Sequence, residues 1–78
     1  MTTIILYTTD ACTLCDNALA MIKVCINKQT QRLSVIDIAE HDDLIERYGD
    51  KIPVLYRADK HSHLSWPFSP ADVHNFLL

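Results

Sequence analysis

The sequence predicts a small α/β domain, a mixed four-stranded sheet with helices on both faces. Two observations lead to this prediction. The 78 residues leave room for a single domain, residues 1–78, in which nearly every apolar segment must face one core. The predicted elements follow the order β-α-β-α-β-β-α. The helix between the first two strands gives parallel pairing, and the short turn between the last two gives antiparallel pairing.

Composition and charge narrow the possible functions. With 49% hydrophobic and 22% charged residues, the chain has the composition of a globular protein. Its net charge of -3, without a basic cluster, predicts no nucleic-acid partner. The apolar runs fall far short of the roughly 20 residues that cross a bilayer, and residues 1–6 show no secretory signal pattern. We expect a cytoplasmic protein without membrane association, acting as a monomer.

The first half of the chain contains two strands and the longest helix. Thr3 to Thr8 is rich in β-branched and aromatic residues, which predicts a buried strand. From about Thr13 to Asn27, polar positions recur at helical spacing, which predicts a helix buried on more than half of its circumference. Leu33 to Ile38 alternates between polar and apolar residues, which predicts a second strand.

The second half begins with a short helix. Acidic residues open the segment from Asp42 to Tyr48, as suits a helix N-terminus, and Gly49 is expected to close the helix as its C′ residue. Two short strands are predicted over Val54 to Arg57 and His63 to Ser65, with a polar turn between them.

The last helix carries a strong start signal. Ser69 is a favourable N-cap, Pro70 suits the first helical position, and Asp72 is placed to complete a capping box. We therefore expect this helix to begin at Pro70 and to present its apolar side to the core.

Two cysteines lie where the first strand gives way to the first helix. The total of three cysteines argues against a paired disulfide framework, so the close pair Cys12 and Cys15 indicates redox chemistry or a metal site. A cysteine at a helix N-terminus faces unpaired N–H groups and the positive end of the helix dipole, which favour the thiolate. Residues three apart lie on the same side of a helix. We predict Cys12 as the nucleophile and Cys15 as the resolving thiol.

The charged neighbours of the pair oppose the stabilisation of the thiolate by the helix N-terminus. Asp10 and Asp16 flank the cysteines, and no basic residue is adjacent. Carboxylates that face a thiol raise its pKa. We therefore predict a more reducing, less activated pair than one surrounded by basic residues.

Four segments in this order resemble the glutaredoxin-like proteins of the thioredoxin-fold superfamily, and the resemblance extends over essentially the whole chain. The segments are Tyr7-Thr8, Cys12-Thr13-Leu14-Cys15, Ile52-Pro53-Val54 and Leu64-Ser65-Trp66-Pro67-Phe68-Ser69. The resemblance implies a thioredoxin-like three-layer sandwich and thiol–disulfide oxidoreductase activity. It also implies a disulfide-containing protein or small molecule as substrate and no tightly bound cofactor. Glutathione or another thiol system would then be the reductant.

The resemblance also implies that the Ile52-Pro53 bond is cis and lies against the cysteine pair. Ile52 is expected to leave backbone N–H and C=O groups free, where an extended substrate could pair in the manner of an added strand. Tyr7, Leu14 and Trp66 are candidates for an apolar rim around this site.

The chain departs from the family pattern at two places. Glutaredoxins usually carry a lysine or arginine where this chain has Thr9. They also usually carry paired glycines followed by acids before the last helix, a glutathione-binding feature, where this chain has Trp66-Pro67-Phe68.

Other interpretations of these residues remain open. The cysteine pair could hold zinc with His61 and His63 as the only close histidine pair, or could be incidental to the helix. Near a hairpin turn, however, such histidines are more simply solvated, and we predict no metal. As a whole, the protein could be a non-catalytic module that binds a protein partner or a metal.

Three further features have simple structural explanations. Cys25 falls on an apolar helix face and is expected to fill the core, with a regulatory thiol as the alternative. Pro53 could be no more than the residue that starts a strand, although the resemblance favours a role in the site. Trp66-Pro67-Phe68 is best explained as a hydrophobic staple ahead of Ser69.

Overall fold

The computed structural model of the protein describes residues 1–78 and confirms the predicted order of elements. The strands are β1 (Thr2–Thr8), β2 (Gln31–Asp37), β3 (Val54–Arg57) and β4 (Ser62–Ser65). The helices are α1 (Thr13–Cys25), α2 (Asp42–Tyr48) and α3 (Pro70–Leu77), with a 3₁₀ turn at Ile38–Glu40 before α2. The sheet order is β2-β1-β3-β4. The parallel pairing of β1 with β2 and the antiparallel pairing of β3 with β4 are as predicted. The structure adds the antiparallel pairing of β1 with β3.

The sheet separates two apolar clusters because side chains alternate along each strand. Ile4 and Leu6 of β1 pack with α1 and α3 on one face, in a cluster of eight buried residues. Tyr7 and Ile5 lie on the other face. Tyr7 belongs there to a cluster of four buried residues that includes Tyr48 of α2. The result is a three-layer sandwich with two helices on one side and one on the other. None of the helices is both long and apolar enough to cross a membrane.

The predicted start of α3 is confirmed in detail. The backbone N–H of Asp72 donates to Ser69 Oγ at 3.2 Å, and the backbone N–H of Ser69 donates to Asp72 Oδ2 at 2.9 Å. This reciprocal capping box, followed by Pro70 at the first helical position, fixes where α3 begins.

Gly49 ends α2 as predicted, but for a different reason. Its backbone is right-handed, at φ -53° and ψ -34°, so it is the C-cap rather than a left-handed C′ residue. A Cβ at this position would collide with the carbonyl oxygen of Ile45. Close approach to the preceding turn, rather than a positive φ, is what favours glycine here.

Four elements have boundaries that differ from the predicted ones. Strand β1 begins at Thr2 instead of Thr3. Helix α1 ends at Cys25 instead of Asn27, because Ile26 is already extended at φ -69° and ψ 140°. Strand β2 begins at Gln31 instead of Leu33, because Gln31 pairs with Thr2 of β1, and it ends at Asp37 instead of Ile38. Strand β4 begins one residue earlier than predicted, at Ser62.

Candidate active site

Cys12 occupies the N-cap position of α1. The chain turns from β1 into the helix through Ala11, whose φ of 55° is left-handed. Cys12 itself is extended, and its Sγ accepts a hydrogen bond from the backbone N–H of Cys15 at 3.2 Å. The sulfur therefore lies where the unpaired N–H groups and the positive end of the helix dipole converge, which is the environment that stabilises a thiolate.

Cys12 and Cys15 are joined as a disulfide, with their Cα atoms 5.2 Å apart. This separation lies within the range that a disulfide spans. The two sulfurs differ in access, because Cys12 is half-buried whereas Cys15 is only 2% exposed. An incoming reagent can therefore reach Cys12. Cys15 can react only with a group that is already attached to Cys12.

The sheet register places three segments at the same end of the molecule. Tyr7, near the end of β1 that leads to Cys12, pairs with Val54, and Val54 pairs with Ser65. The residues that border these pairs, Pro53 and Trp66, are joined by a hydrogen bond from the Trp66 N–H to the Pro53 carbonyl at 3.1 Å. The segments before β3 and after β4 therefore lie at the cysteine end of the sheet.

Both prolines at this end follow cis peptide bonds. The Ile52-Pro53 bond is cis, as the resemblance implied, and Pro53 is fully buried. The Trp66-Pro67 bond is also cis, which was not predicted.

The expectation for the Ile52 backbone was half wrong. Its N–H is not free, because it donates to the carbonyl of Tyr48 at the end of α2, at 3.2 Å. Its carbonyl oxygen accepts no hydrogen bond within the protein. An extended substrate would therefore find one free acceptor at Ile52 rather than a donor and an acceptor.

The three candidates for an apolar rim lie in different environments. Leu14, between the cysteines, is 44% exposed. Trp66 is half-buried and packs edge-to-face on Phe68, with ring centroids 5.0 Å apart. Tyr7 is buried below the surface and stacks on Tyr48 at 4.5 Å. Leu14 therefore offers the most open apolar surface of the three.

Burial changes the acidity of Tyr7. Loss of solvent is the largest cause that raises the pKa of its phenol, and the neighbouring phenols of Tyr48 and Tyr56 raise it further. Tyr7 is therefore a neutral hydroxyl beside the site at physiological pH.

The two acids beside the cysteines are exposed, and neither makes a side-chain hydrogen bond or an ion pair. Asp16 lies in the first turn of α1, and Asp10 precedes Ala11. Their effect on the thiol of Cys12 stays a prediction.

The histidines of the β3–β4 hairpin are exposed to solvent, as predicted, and each also contacts a tyrosine. His63 Nε2 lies 2.8 Å from Tyr48 Oη, and His61 Nδ1 lies 3.2 Å from Tyr56 Oη. Sequence reasoning missed these pairs because they join residues on different elements. The structure brings together no group of three or more histidine, cysteine or acidic side chains that could hold a metal ion.

Cys25 lies far from the pair, at the other end of α1. It is half-buried against the α1–α3 core, and its thiol lies 3.7 Å from the carbonyl of Pro70. It therefore contributes to the packing of α1 against α3.

A family model for a glutaredoxin-like domain (DUF836) matches residues 3–78. The chain belongs to this glutaredoxin-like family. No curated protein matches the sequence. Two solved structures resemble this glutaredoxin-like domain over nearly all of both chains and support its thioredoxin-like fold.

One is the X-ray structure of the structural-genomics target protein XcR50 from X. campestris. It is 27% identical, with a TM-score of 0.82, and the match covers 95% of this chain and 93% of that one. The other is the solution structure of protein Ne2328 from Nitrosomonas europaea. It is 24% identical, with a TM-score of 0.79, and the match covers 99% of this chain and 92% of that one.

Proposed function

We propose that this glutaredoxin-like domain is a thiol–disulfide oxidoreductase in which Cys12 is the nucleophile and Cys15 the resolving thiol. The observation that carries the proposal is the asymmetry of the pair. One sulfur is accessible at a helix N-terminus, and the other is buried behind it within disulfide distance. Exchange chemistry needs this arrangement, since the first thiolate must meet the substrate and the second must meet only the intermediate.

The reaction balances without a bound cofactor. In the reduced protein, the Cys12 thiolate attacks one sulfur of the substrate disulfide and the other substrate sulfur leaves as a thiolate, which takes up a proton. Cys15 then loses its proton and attacks Cys12 Sγ, which releases the second substrate thiol and forms the Cys12–Cys15 disulfide. Two electrons have passed to the substrate. Glutathione or another thiol system returns them by the same exchange in reverse.

The other residues at this end support binding of the substrate. The free carbonyl of Ile52 can accept a hydrogen bond from an extended substrate peptide. Buried Pro53 fixes the position of this segment, and Leu14, Trp66 and the covered ring of Tyr7 provide apolar contacts around it.

The test compares Cys12→Ser, Cys15→Ser and the matched control Cys25→Ser in disulfide reduction, with glutathione and with a thioredoxin system as electron source. We expect the rate with Cys12→Ser to fall to the uncatalysed rate. Cys15→Ser should accumulate a mixed disulfide, visible as added mass, and Cys25→Ser should resemble the wild type.

Two results would contradict the proposal. Undiminished activity in both Cys12→Ser and Cys15→Ser would show that neither cysteine is needed and would rule out the mechanism. Stoichiometric zinc that is retained through purification and lost in Cys12→Ser would favour a binding module instead. If Cys15→Ser alone stays active with glutathione, a one-thiol route replaces the second step.

A further inference from the structure

A cavity of about 450 Å³ opens on the α2 side of the sheet, between the end of α2, the segment that leads to Pro53, and strand β4. Six residues line it: Arg47, Tyr48, Lys51, Val54, His63 and Ser65. It is separate from the cysteine pair, and the chemistry described above does not use its polar groups.

The charge of this cavity is opposite to that of the protein. The chain has 7 basic and 10 acidic residues, yet Arg47 and Lys51 both line the cavity and no carboxylate does. The only ion pair of the structure joins Arg57 and Asp59, so neither cation of the cavity has a carboxylate partner. Two unpaired cations facing one hollow form a site for an anion.

Packing and a hydrogen bond hold Tyr48 and its partner His63 in place at the wall of the cavity. Tyr48 is only 6% exposed and stacks on Tyr7, while its hydroxyl is hydrogen-bonded to His63 Nε2 at 2.8 Å. The Arg47 guanidinium lies over the Tyr48 ring, 6.0 Å from its centroid. His63 Nδ1 and the exposed hydroxyl of Ser65 make no hydrogen bond within the protein. A ligand therefore meets a preorganised wall with free polar atoms.

The cavity lies beside the proposed path of the substrate. Lys51 directly precedes Ile52-Pro53, and Val54 directly follows it. Val54 pairs with Tyr7 at the end of β1 that leads to Cys12. A substrate peptide attached to Cys12 and bonded to the free carbonyl of Ile52 would run past this wall, advancing about 3.3 Å per residue.

We propose that this cavity binds a carboxylate of the protein substrate, an acidic side chain that lies a few residues from the disulfide. Arg47 and Lys51 supply the positive charge, and His63 and Ser65 supply additional hydrogen-bonding atoms. The inference rests on the proposed function and adds to it a substrate class, disulfides flanked by acidic residues.

The test uses pairs of disulfide peptides that differ only in Glu or Gln at two, three or four residues from the cysteine. In the wild type, kcat/KM should be roughly 2- to 5-fold higher for the best Glu peptide than for its Gln partner. The double variant Arg47→Gln/Lys51→Gln should lose this preference. The matched control Lys28→Gln/Lys60→Gln, which removes the same charge elsewhere, should retain it. Added salt should weaken the preference.

A binding measurement separates this inference from the proposed function. The oxidised protein is titrated with a cysteine-free acidic peptide, and the ring resonances of His63 and Tyr48 are followed by NMR. We expect saturable shifts that disappear in Arg47→Gln/Lys51→Gln. Equal reduction of Glu and Gln peptides would overturn the inference and leave the proposed function intact. If no peptide is reduced, the proposed function fails, and the titration decides whether the cavity binds the acid.

Discussion

The two ends of the sheet each carry a cavity of about 450 Å³, and the two cavities differ in the state of their polar groups. At the end opposite the cysteines, the buried polar side chains Arg57 and Gln31 are satisfied within the protein. Arg57 donates to the carbonyls of Phe76 and Leu78 at 2.9 and 3.0 Å, and to both carboxylate oxygens of Asp59. At the cysteine end, Arg47 and Lys51 have no such partners.

Two cavities of equal volume can therefore have different roles, which depend on whether their polar groups are already hydrogen-bonded within the protein. Arg57 and Gln31 bind the carbonyl groups that the end of α3 leaves without a helical partner, with Gln31 donating to Leu77 at 2.7 Å. These groups stabilise the fold and are not free to bind a ligand. The cations of the other cavity have no carboxylate partner and are free to bind one.

The largest expected effect lies at the satisfied end. Arg57→Gln removes hydrogen bonds to two helix carbonyls and a bidentate carboxylate from a side chain that is only 7% exposed. We expect the free energy of unfolding to fall by about 2 to 3 kcal/mol, measured by urea denaturation. Reduction of disulfides should be unchanged at a temperature where the variant is folded. Arg32→Gln, at an exposed site on β2, is the control and should stay within about 0.5 kcal/mol. Equal losses in both variants would remove the contrast between the two ends.

A smaller effect is expected at Cys25, which also lines the satisfied cavity. Cys25→Ala removes a half-buried sulfur that packs against α3, so unfolding should become easier by about 1 kcal/mol. The rate of disulfide reduction should not change, because this thiol takes no part in the exchange. A fall in activity at unchanged stability would instead indicate a regulatory thiol.

At the cysteine end, the flanking acids should act on chemistry rather than on stability. Asp16→Asn removes a carboxylate from the first turn of α1 and should lower the pKa of the Cys12 thiol, because a nearby negative charge disfavours the thiolate. The measurement is the ultraviolet absorbance of the thiolate as a function of pH in the reduced protein. Asp42→Asn, in the first turn of α2, is the control. If the pKa of Cys12 stays fixed in Asp10→Asn and Asp16→Asn alike, the carboxylates do not tune it.

The smallest effect concerns pH at the satisfied end. The hydrogen bond from Arg57 holds the pKa of Asp59 below its ordinary value. A carboxyl whose pKa is lowered by folding stabilises the protein above the ordinary carboxyl pKa of about 3.9, and this contribution is lost as the pH falls through the folded value. Asp59→Asn should therefore be slightly less stable than the wild type at neutral pH, and the difference should close in strong acid. A constant difference at all pH values would contradict this linkage.

The parts of the fold that sequence predicted are those encoded by near neighbours. The capping box at Ser69 and Asp72, the acidic start of α2 and the short cysteine spacing all join residues at most three positions apart. The order of strands and helices then predicted that β1 and β2 are parallel and that β3 and β4 are antiparallel.

The parts that sequence missed depend on residues far apart in the chain. Arg57 and Gln31 differ from other polar residues only because the end of α3 packs against them. Arg57 bonds to Phe76, 19 positions later in the chain, and Gln31 bonds to Leu77, 46 positions later. His63 becomes part of a cavity only through Tyr48, 15 positions earlier. Arg47 and Lys51 lie four positions apart, but Lys51 follows the end of α2 at Tyr48, so helical spacing does not bring their side chains to one cavity.

The burial of Cys15 also limits which crosslinks the protein can form. Cys15 is 2% exposed and cannot meet a thiol on another molecule unless that molecule is already bonded to Cys12. Half-buried Cys25 lies at the far end of the same helix and cannot take its place. If two copies are oxidised together, a bridge between their Cys12 sulfurs would leave each buried Cys15 thiol next to it. We therefore expect such a bridge to be severed by either Cys15, so that oxidation at this end returns separate chains.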